Sequence, residues 1–447
     1  MKKIILSYSV LLITLSSYAQ QPYILVGETY SAKVSKIDPV TNSKIASVQV
    51  ADSVGVPIPN ITKMVLDTVH NWAYIACNTD NAISVIDLNT WTATYPAIAV
   101  TGINMPKGLA INKTADTLYV CNDGADGVQD STDPLSIIKI TGTTFPPTLT
   151  LVTAVPVGKQ PANVMLSHDG KYAVVSCRNQ ARLAVVDLEG DSVIYKYDYP
   201  NTTYEPEGID IHPSLNLFYC TTHGQNTIDI LSTDSMSVIN TVPITYTGAP
   251  PHPSGGLFSP NGDIFLLSAQ RSGKMYLFNT TDPFNPIQLP PVIPSGGAQP
   301  HQAVFLNDTI AYIPNTNNTQ PIGSVSYMNT GNSPALLGQV SGTWNGPLSM
   351  VLVKNTTTSV QTVNIEEKNI LIYPNPSNGQ FTIEIANWVG QTEYGMIEIY
   401  NELGENVFQS TISSQTSKID LNLSRGMYFY KLTSNMKKFS SGKFIVQ

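Results

Sequence analysis

The sequence predicts an all-β protein assembled from repeated antiparallel sheets. Its 31 prolines, 30 glycines and 22 tyrosines, with only 13% charged residues, favour sheet and turn over helix. Short apolar runs separated by polar turns recur along most of the chain with a period of about 45 residues. At 447 residues the chain is too long for one ordinary domain, so two or three folding units are expected.

The repeat is clearest in the segment Ala162–Asp187, ANVMLSHDGKYAVVSCRNQARLAVVD. An apolar run is followed by a turn at Asp169-Gly170, a second apolar run, another polar turn and a third run that ends in Asp. This pattern is typical of a three-strand meander with hairpin turns.

Equivalent first and second strands can be assigned in six repeats. Each first strand follows a proline, which fixes φ and suits a loop just before a strand. The predicted first strands are Ile61–Leu66, Gly108–Ile111, Asn163–Leu166, Gly208–Ile211, Gly256–Phe258 and Gln302–Leu306. The second strands are Ala73–Cys77, Thr117–Cys121, Tyr172–Cys177, Leu217–Thr221, Ile264–Ser268 and Ile310–Ile313.

The two ends of the repeat region complement each other. The chain enters with a second-type strand at Tyr23–Val26, and Leu348–Val353 after Pro347 is a first strand with no second strand after it. Pairing these segments makes one sheet from strands of both ends of the repeat region. It leaves no open sheet edges, which are otherwise prone to aggregation. We therefore predict a seven-bladed β-propeller over residues 21–353, closed by a C-terminal first strand.

The N-terminus has the features of a secretory signal peptide. Lys2 and Lys3 precede the apolar stretch Ile4–Leu15, and Ser17-Tyr18-Ala19 fits a small-residue cleavage site, so residues 1–20 are expected to be removed. A buried N-terminal strand is the alternative. No later apolar run is long enough to span a bilayer, and the formal net charge of −8 disfavours nucleic acid as a partner.

Several repeat segments resemble YVTN-type β-propeller repeats. They are Tyr74–Asn78, Ile83–Asp87, Tyr119–Asn122 and Leu183–Asp187, together with the turns Ser167–Lys171 and Ser259–Asp263, which are similar to the family's S-P-D-G-K turn. The resemblance covers about residues 22–353 and implies the fold more strongly than any activity, because propellers support many functions.

A different pattern begins after a polar, Thr-rich linker at residues 354–369. Seven short alternating strands are predicted within residues 370–447, which suggests a small β-sandwich. Tyr373–Pro376 with Gly379 and Phe381, then Ile399–Gly404, then Leu423–Tyr428 and Lys443–Val446 resemble the type A C-terminal sorting domain of the type IX (Por) secretion system. The resemblance implies contact with the type IX secretion machinery and export through the periplasm to the cell surface or medium. A carbohydrate-binding or adhesive sandwich is the alternative.

Polar residues of the propeller should gather at one end of its channel. The loop before each first strand and the loop after each second strand open on the same face, where propeller ligands usually bind. The candidate residues there are Arg178, Glu207, His223, His252, Arg271 and His301. Histidine is a usable base near neutral pH and arginine binds carboxylates. Pro251-His252 and Pro300-His301 resemble segments of lactonase-type seven-bladed propellers, which implies a hydrolase or isomerase reaction as one alternative; a binding surface is the other.

The long loop of the third repeat contains Asp123, Asp126, Asp130 and Asp133. Carboxylates separated by glycine turns suit calcium, which takes six to eight oxygen ligands. Asp and Gly are equally common in turns without a ligand. Calcium is therefore one interpretation of this loop, and no other cofactor is indicated.

The cysteines are predicted to be buried thiols. Cys77, Cys121 and Cys177 end the same strand in successive repeats, and Cys220 lies one position off and should face the other way. Neighbouring sheets stack about 10 Å apart, beyond normal disulfide reach.

A scattered pattern of Asp, then Ser or Thr, then usually an aliphatic residue resembles the O-glycosylation acceptor pattern of bacteria that use this export route. The acceptors would be Ser53, Thr68, Thr117, Ser131, Ser192, Ser235 and Thr309. Ordinary turn chemistry is the alternative explanation.

Together these observations predict a secreted or cell-surface propeller that binds an unknown ligand or surface partner and is exported by its tail. The alternative is a propeller enzyme, a lactonase-like hydrolase or isomerase, that uses His, Arg and Glu at the channel mouth.

Overall fold

The computed structural model describes residues 21–52, 60–124, 132–317, 322–354, 370–385, 395–401, 405–412, 414–421, 423–434 and 439–447. The described residues form β-strands, turns and one short 3₁₀ turn at Thr202–Tyr204, without α-helix. The chain divides into two compact units, residues 1–355 and 356–447, which are described separately. The signal peptide predicted at residues 1–20 lies outside the described residues.

The first unit contains the strands of a seven-bladed ring. In chain order they are β1 (Tyr23–Glu28), β2 (Lys33–Asp38), β3 (Ser43–Gln49), β4 (Ile61–Asp67), β5 (Trp72–Cys77), β6 (Ala82–Asp87), β7 (Thr92–Ala93), β8 (Ile98–Ala99), β9 (Pro106–Ile111), β10 (Thr117–Asn122), β11 (Pro134–Thr141), β12 (Thr148–Pro156), β13 (Pro161–Leu166), β14 (Tyr172–Cys177), β15 (Arg182–Asp187), β16 (Ser192–Asp198), β17 (Pro206–Ile211), β18 (Leu217–Thr222), β19 (Thr227–Ser232), β20 (Ser237–Pro243), β21 (Pro253–Phe258), β22 (Ile264–Ala269), β23 (Lys274–Asn279), β24 (Ile287–Pro294), β25 (Val304–Phe305), β26 (Ile310–Asn315), β27 (Ser324–Asn329), β28 (Ala335–Gln339) and β29 (Pro347–Val353).

These strands form seven antiparallel sheets, which confirms the predicted propeller. Blade 1 has the order β29–β1–β2–β3, blade 2 has β4–β5–β6 with β7 and β8 both on β6, and blades 3 to 7 take four consecutive strands each. First strands of neighbouring blades contact one another around the axis. Five of them begin with a proline. The innermost strand is an edge of its sheet, so the N–H that proline lacks is not needed for a hydrogen bond to another strand.

The ring is closed as predicted, by pairing the last strand with the first. Strands β29 and β1 run antiparallel, with Ile24 opposite Leu352 and Val26 opposite Met350. The Ser349 hydroxyl also accepts a hydrogen bond of 3.1 Å from the backbone N–H of Met64 in blade 2. The closing strand therefore connects blade 1 to its other neighbour as well.

Alternating side chains of the blades form the inter-blade cores. Cys77, Cys121, Cys177 and Cys220 are buried free thiols, and burial raises the pKa of Cys77 to about 12. The predicted orientation of Cys220 is wrong: like Cys77 and Cys177 it packs toward the preceding blade, and Cys121 is the one that packs toward the following blade. The reason is where each cysteine lies relative to the end of its strand. Cys77 is the last residue of β5, and Cys220 lies two residues before the end of β18, so both face the same way. Cys121 lies one residue before the end of β10, so it faces the other way.

One first strand is shorter than predicted. In blade 7 only Val304–Phe305 pairs regularly with β26, although the sequence indicated Gln302–Leu306. Pro314 lies in β26 next to the missing pairs, and because it has no N–H it cannot complete the ladder. Gln302, just before this short strand, contacts Lys63 of β4, and both line the central cavity.

The second unit contains two small facing sheets, which confirms the predicted sandwich. Its strands are β30 (Ile370–Tyr373), β31 (Gln380–Ile385), β32 (Gly395–Tyr400), β33 (Asn406–Ile412), β34 (Thr416–Asp420), β35 (Gly426–Ser434) and β36 (Phe439–Val446). The sheet orders are β30–β31–β34 and β33–β32–β35–β36. Phe381, Ile399, Tyr428 and Phe444 belong to the core between them.

Candidate functional site at the channel mouth

A cavity of about 380 Å³ opens at the end of the channel predicted to bind ligands. This volume lies within the usual range for small-molecule sites. Inner strands and the loops that flank them supply its walls. The described residues that line it are Thr29, Tyr30, Thr62, Lys63, Lys107, Ala162, Asn163, Arg178, Glu207, Ser254, His301, Gln302, Thr316, Leu348, Ser349 and Met350.

One wall of the cavity is cationic. Lys63, Lys107 and Arg178 come from the consecutive blades 2, 3 and 4, and Glu207 is the one acid among the described lining residues. Of the acids that balance the three cations, Asp123, Glu205 and Asp210 are not among the described residues that line the cavity, whereas Glu207 is. The surface presented to a ligand is therefore more positive than the site as a whole.

Arg178 is held at this wall by two glutamates. Its Nη2 donates to Glu205 Oε2 at 2.9 Å, and its Nη1 lies 3.6 Å from Glu207 Oε2. Burial disfavours its charge, but the two carboxylates outweigh burial and hold the pKa of the guanidinium above its usual value. Arg178 directly follows β14, so the end of that strand fixes its place at the mouth.

Lys107 is fixed in the same way by Asp123. The Lys107 Nζ lies 3.1 Å from Asp123 Oδ2, and this carboxylate also accepts a bond of 3.0 Å from Gln160 Nε2. Asp123 is only 3% exposed, whereas Lys107 is 27% exposed and reaches the cavity. The ammonium group is therefore the part of this pair that a ligand meets.

Lys63 lies deeper, on the inner strand β4. Its Nζ donates to Gln302 Oε1 at 2.5 Å, and Gln302 Nε2 donates to the carbonyl oxygen of Gly256 at 3.3 Å. Burial lowers the pKa of Lys63, and the negative charge of Asp210 opposes this shift. Burial raises the pKa of Asp210 to about 6 although the backbone N–H of Phe258 bonds to it and the positive charge of Lys63 is close.

The lining also includes an acceptor and a neutral ring, Glu207 and His301. Glu207 Oε2 is buried and has no hydrogen-bond partner among the described residues, although Arg178 is near. Burial lowers the pKa of His301 to about 4, so this imidazole is neutral at physiological pH. Tyr30, Leu348 and Met350 add apolar surface at the closure of the ring.

The structure brings the predicted mouth residues together but separates them into two groups. Arg178, Glu207 and His301 line the cavity. His223, His252 and Arg271 lie beside it as a connected chain, because His223 Nδ1 is 3.4 Å from His252 Nδ1 and Arg271 Nη1 is 3.2 Å from His252 Nε2. Gln270 joins the two groups, with contacts to His223 at 3.3 Å and to His301 at 3.5 Å.

The sequence did not single out Lys63, Gln302 or Tyr30 as site residues. Lys63 and its contact Gln302 lie 239 positions apart in the chain, so no local pattern joins them. One signal was available, because Lys63 is a charged residue in the interior of a mostly apolar first strand. Such a residue is expected to face the channel rather than an inter-blade core.

The predicted calcium loop is only partly described. Asp126 and Asp130 lie outside the described residues. Asp123 and Asp133 are buried and already serve as acceptors, Asp123 for Lys107 and Gln160, and Asp133 for the backbone N–H of Gln160 at 2.9 Å. Within the described ranges no group of three or more His, Cys, Asp or Glu side chains is arranged to hold a metal ion.

The proposed glycan acceptors vary in accessibility. Ser53 and Ser131 lie outside the described residues. Thr68, Ser192, Ser235 and Thr309 are exposed, and Thr117 is half-buried and bonds through its hydroxyl to Asp116. Accessible turns are compatible with modification but do not require it.

The fold defines a seven-bladed propeller joined to a secretion tail. Residues 371–447 match the family described as "Secretion system C-terminal sorting domain", and residues 63–194 match "Lactonase, 7-bladed beta-propeller". The tail directs export through the type IX system to the cell surface or extracellular space. Among the described residues there is no helix long and apolar enough to cross a membrane. The YVTN label remains a resemblance.

Solved structures support the same fold at low sequence identity. A protein from Lactobacillus plantarum has a TM-score of 0.61 at 14% identity, covering 75% of this chain and 100% of its own. The periplasmic gluconolactonase of Pseudomonas aeruginosa has a TM-score of 0.58 at 12% identity, covering 74% and 99%. A functionally unknown protein from Desulfotomaculum acetoxidans has a TM-score of 0.52 at 12% identity, covering 74% and 98%. No curated protein sequence matches the chain.

Proposed function

We propose that the exported propeller binds a small organic anion, such as a carboxylic acid, in the cavity at its channel mouth. The observation that carries this proposal is the cationic wall, where Lys63, Lys107 and Arg178 face the cavity and Glu207 is the one acid among the described residues that line it. Charge-assisted hydrogen bonds from arginine and lysine to a carboxylate are roughly twice as strong as neutral ones. A ligand of this class would therefore gain most at this wall.

The walls also indicate the orientation of the ligand. Its carboxylate would lie against Arg178 and Lys107, and its less polar part against Tyr30 and Met350 on the closing side of the ring. Hydroxyl groups on the ligand would donate to Glu207 Oε2, which has no other hydrogen-bond partner among the described residues. A buried acceptor without a partner is costly, so a donating ligand relieves that cost.

Calorimetric titration of the full-length protein with a panel of small carboxylic acids, including gluconate, tests the proposal. We expect at least one acid to bind, and Arg178→Gln to weaken that binding by about tenfold or more, because a charged hydrogen bond contributes about 1.5–3 kcal/mol. The matched control is Arg182→Gln, four residues further on, where Arg182 pairs with Asp198 away from the cavity. Absence of binding by every acid, or equal weakening by both variants, would contradict the proposal.

A second candidate function is hydrolysis of a cyclic ester at the same site. It is favoured by Glu207 Oε2, an unbonded carboxylate oxygen in the same cavity as the neutral His301, and by the match of residues 63–194 to the lactonase propellers. Glu207 would take a proton from water as the water oxygen attacks the ring carbonyl. The ring C–O bond then breaks, and the ring oxygen receives that proton. The product is a hydroxy acid, and its carboxyl group releases the second water proton to solvent to give an anion, the class of ligand that the cationic wall fits.

Proton release from gluconolactone, followed at constant pH against the spontaneous rate, separates the two functions. Hydrolysis above background that is lost in Glu207→Gln, with gluconate binding retained, would establish the enzyme. Binding of acids without any acceleration would leave the protein as a binding protein. Glu207 and His301 lie outside the residues matched to the lactonase family, so the comparison does not itself assign them a role.

A further inference from the structure

His223, next to the cavity, has partners that make conflicting demands on its protons. Its Nδ1 lies 3.0 Å from Glu205 Oε2 and 3.4 Å from His252 Nδ1. An ionised carboxylate accepts hydrogen bonds and cannot donate them. The Nδ1 atom must therefore carry a proton to bond Glu205, and must lack one to accept a bond from His252.

The protonation state of His252 is fixed by the partner of its other ring nitrogen, Nε2. Arg271 Nη1 lies 3.2 Å from His252 Nε2, and a guanidinium can only donate, so Nε2 accepts. Burial, followed by the positive charges of His223 and Arg271, lowers the pKa of His252. The neutral ring then carries its single proton on Nδ1, the atom that faces His223.

Gln270 fixes the protonation of the remaining ring nitrogen of His223, Nε2. The neutral His301 presents Nε2 to Gln270 Nε2 at 3.5 Å, and an amide nitrogen donates. The same amide therefore turns its Oε1 toward His223 Nε2 at 3.3 Å, so this nitrogen donates. His223 has a proton on Nε2 in either state, and the proton on Nδ1 is the one that changes.

The two states of His223 treat Glu205 differently. With both nitrogens protonated, His223 donates to the same Glu205 Oε2 that accepts from Arg178 at 2.9 Å, so two cations share one carboxylate. With Nδ1 unprotonated, His223 accepts from His252, and Arg178 has the Glu205 oxygen to itself. Arg178 is therefore less neutralised, and more available to an anion in the cavity, when His223 is charged.

We propose that His223 is a positioning residue for Arg178, acting through the Glu205 carboxylate that both contact, and that proton uptake at His223 strengthens binding of an organic anion. The proposal rests on the proposed function of the cavity. The titratable and charged groups around His223 are Glu205 and His252 in direct contact, then Arg178, Arg271 and His301, with Glu207 acting on His301. Histidine ordinarily changes charge between about pH 5 and pH 8.

One test needs no ligand. In the full-length protein with labelled arginine and histidine, the NMR signal of the Arg178 guanidinium should follow the titration of the His223 ring. In His223→Gln, which keeps a hydrogen-bond donor for Glu205 without a titrating group, the Arg178 signal should be constant over the same range. An Arg178 signal that does not follow His223 would overturn the proposal even if no acid binds the cavity.

The second test uses gluconate, or the acid of the panel that binds most tightly. We expect affinity to rise about fivefold or more on going from about pH 8 to about pH 5.5, a typical coupling between sites. His223→Gln should remove this dependence, and His252→Leu, whose side chain has no hydrogen-bond donor, should extend tight binding to higher pH because the competing donor is lost. The matched control is His168→Gln on the opposite face, where the ring contacts the carbonyl oxygen of His212.

The outcomes separate the two proposals. Binding with the same pH dependence in wild type and His223→Gln would overturn the role of His223 and leave the anion site intact. Absence of binding at any pH would remove the proposed ligand class, and the Arg178 NMR signal would still decide whether His223 controls that residue.

Discussion

Lys44 Nζ lies 2.5 Å from Oε1 of Glu28, a carboxylate that is only 1% exposed. The other oxygen of Glu28 accepts a hydrogen bond of 2.9 Å from the backbone N–H of Asn345, just before the closing strand β29. Lys44 Nζ also donates to the carbonyl oxygen of Thr343 at 2.9 Å. This ion pair therefore joins blade 1 to the segment that returns from blade 7, beside the strand pairing that closes the ring.

Breaking this pair should destabilise the propeller more than breaking a surface pair. We expect Lys44→Met to lower the free energy of unfolding by about 3 kcal/mol, because it leaves the buried Glu28 carboxylate without its cation. Denaturant unfolding of the full-length protein measures this. The matched control is Lys139→Met, which breaks the half-exposed pair with Asp116 and should cost less than about 1 kcal/mol. Equal effects of the two variants would show that the Lys44–Glu28 ion pair adds nothing to closure of the ring.

Asp210 should make stability fall as the pH rises through the weakly acidic range. Burial raises the pKa of Asp210 to about 6, so the folded chain holds this proton more tightly than the unfolded chain. Its contribution is complete below the unfolded pKa, near 4, and is lost as pH rises through about 6. Relative to Asp210→Asn, the wild type should lose at most roughly 3 kcal/mol between about pH 4 and pH 7.5. A constant difference between the two proteins over this range would show that Asp210 titrates normally.

The architecture could be predicted from sequence because it depends on local signals. Alternation of apolar and polar residues indicates the strands, and turn residues indicate where they end. The two strands without a partner, Tyr23–Val26 and Leu348–Val353, must pair to close the ring, and this pairing fixes the number of blades. The misassigned orientations of Cys121 and Cys220 show the limit of this approach. A strand that ends one residue later reverses which face a side chain occupies, and periodicity alone does not reveal such a shift.

The sequence could place residues at the mouth only where they lie in its loops or at the ends of strands next to them. Arg178, Glu207 and His301 were found because every loop at one end of the ring points to the same mouth. Lys63 and Gln302 were missed because Lys63 lies inside the inner strand β4 and Gln302 lies just before β25, and their contact depends on closing the whole ring. The division of the six candidates into a cavity group and a neighbouring chain depends on side-chain geometry, which the repeat pattern does not encode.

Gly208 should be required for the close approach of inner strands at the propeller axis. A Cβ atom there would lie 2.5 Å from the Cα of Gly255 in the next blade, a backbone contact that cannot yield easily. Gly208→Ala is therefore expected to lower the unfolding free energy by about 1–3 kcal/mol through overpacking. Gly331→Ala is the matched control, because its new Cβ would meet the Thr309 side chain at 3.2 Å, and that side chain is exposed. Thermal unfolding measures the stability of both variants. If Gly208→Ala were as stable as Gly331→Ala, this account would be contradicted.

Export should depend on the second compact unit and not on the propeller. A chain ending at residue 355 keeps every blade and β29 but lacks residues 371–447, which match the sorting domain. In a bacterium with a working type IX system, we expect this shortened chain to be retained inside the outer membrane while the full chain reaches the surface or medium. Immunoblotting of cell fractions measures the distribution. A periplasmic reporter protein carrying residues 356–447 is the complementary variant and should be exported. Release of the shortened chain, or retention of the reporter fusion, would show that the propeller itself carries the export signal.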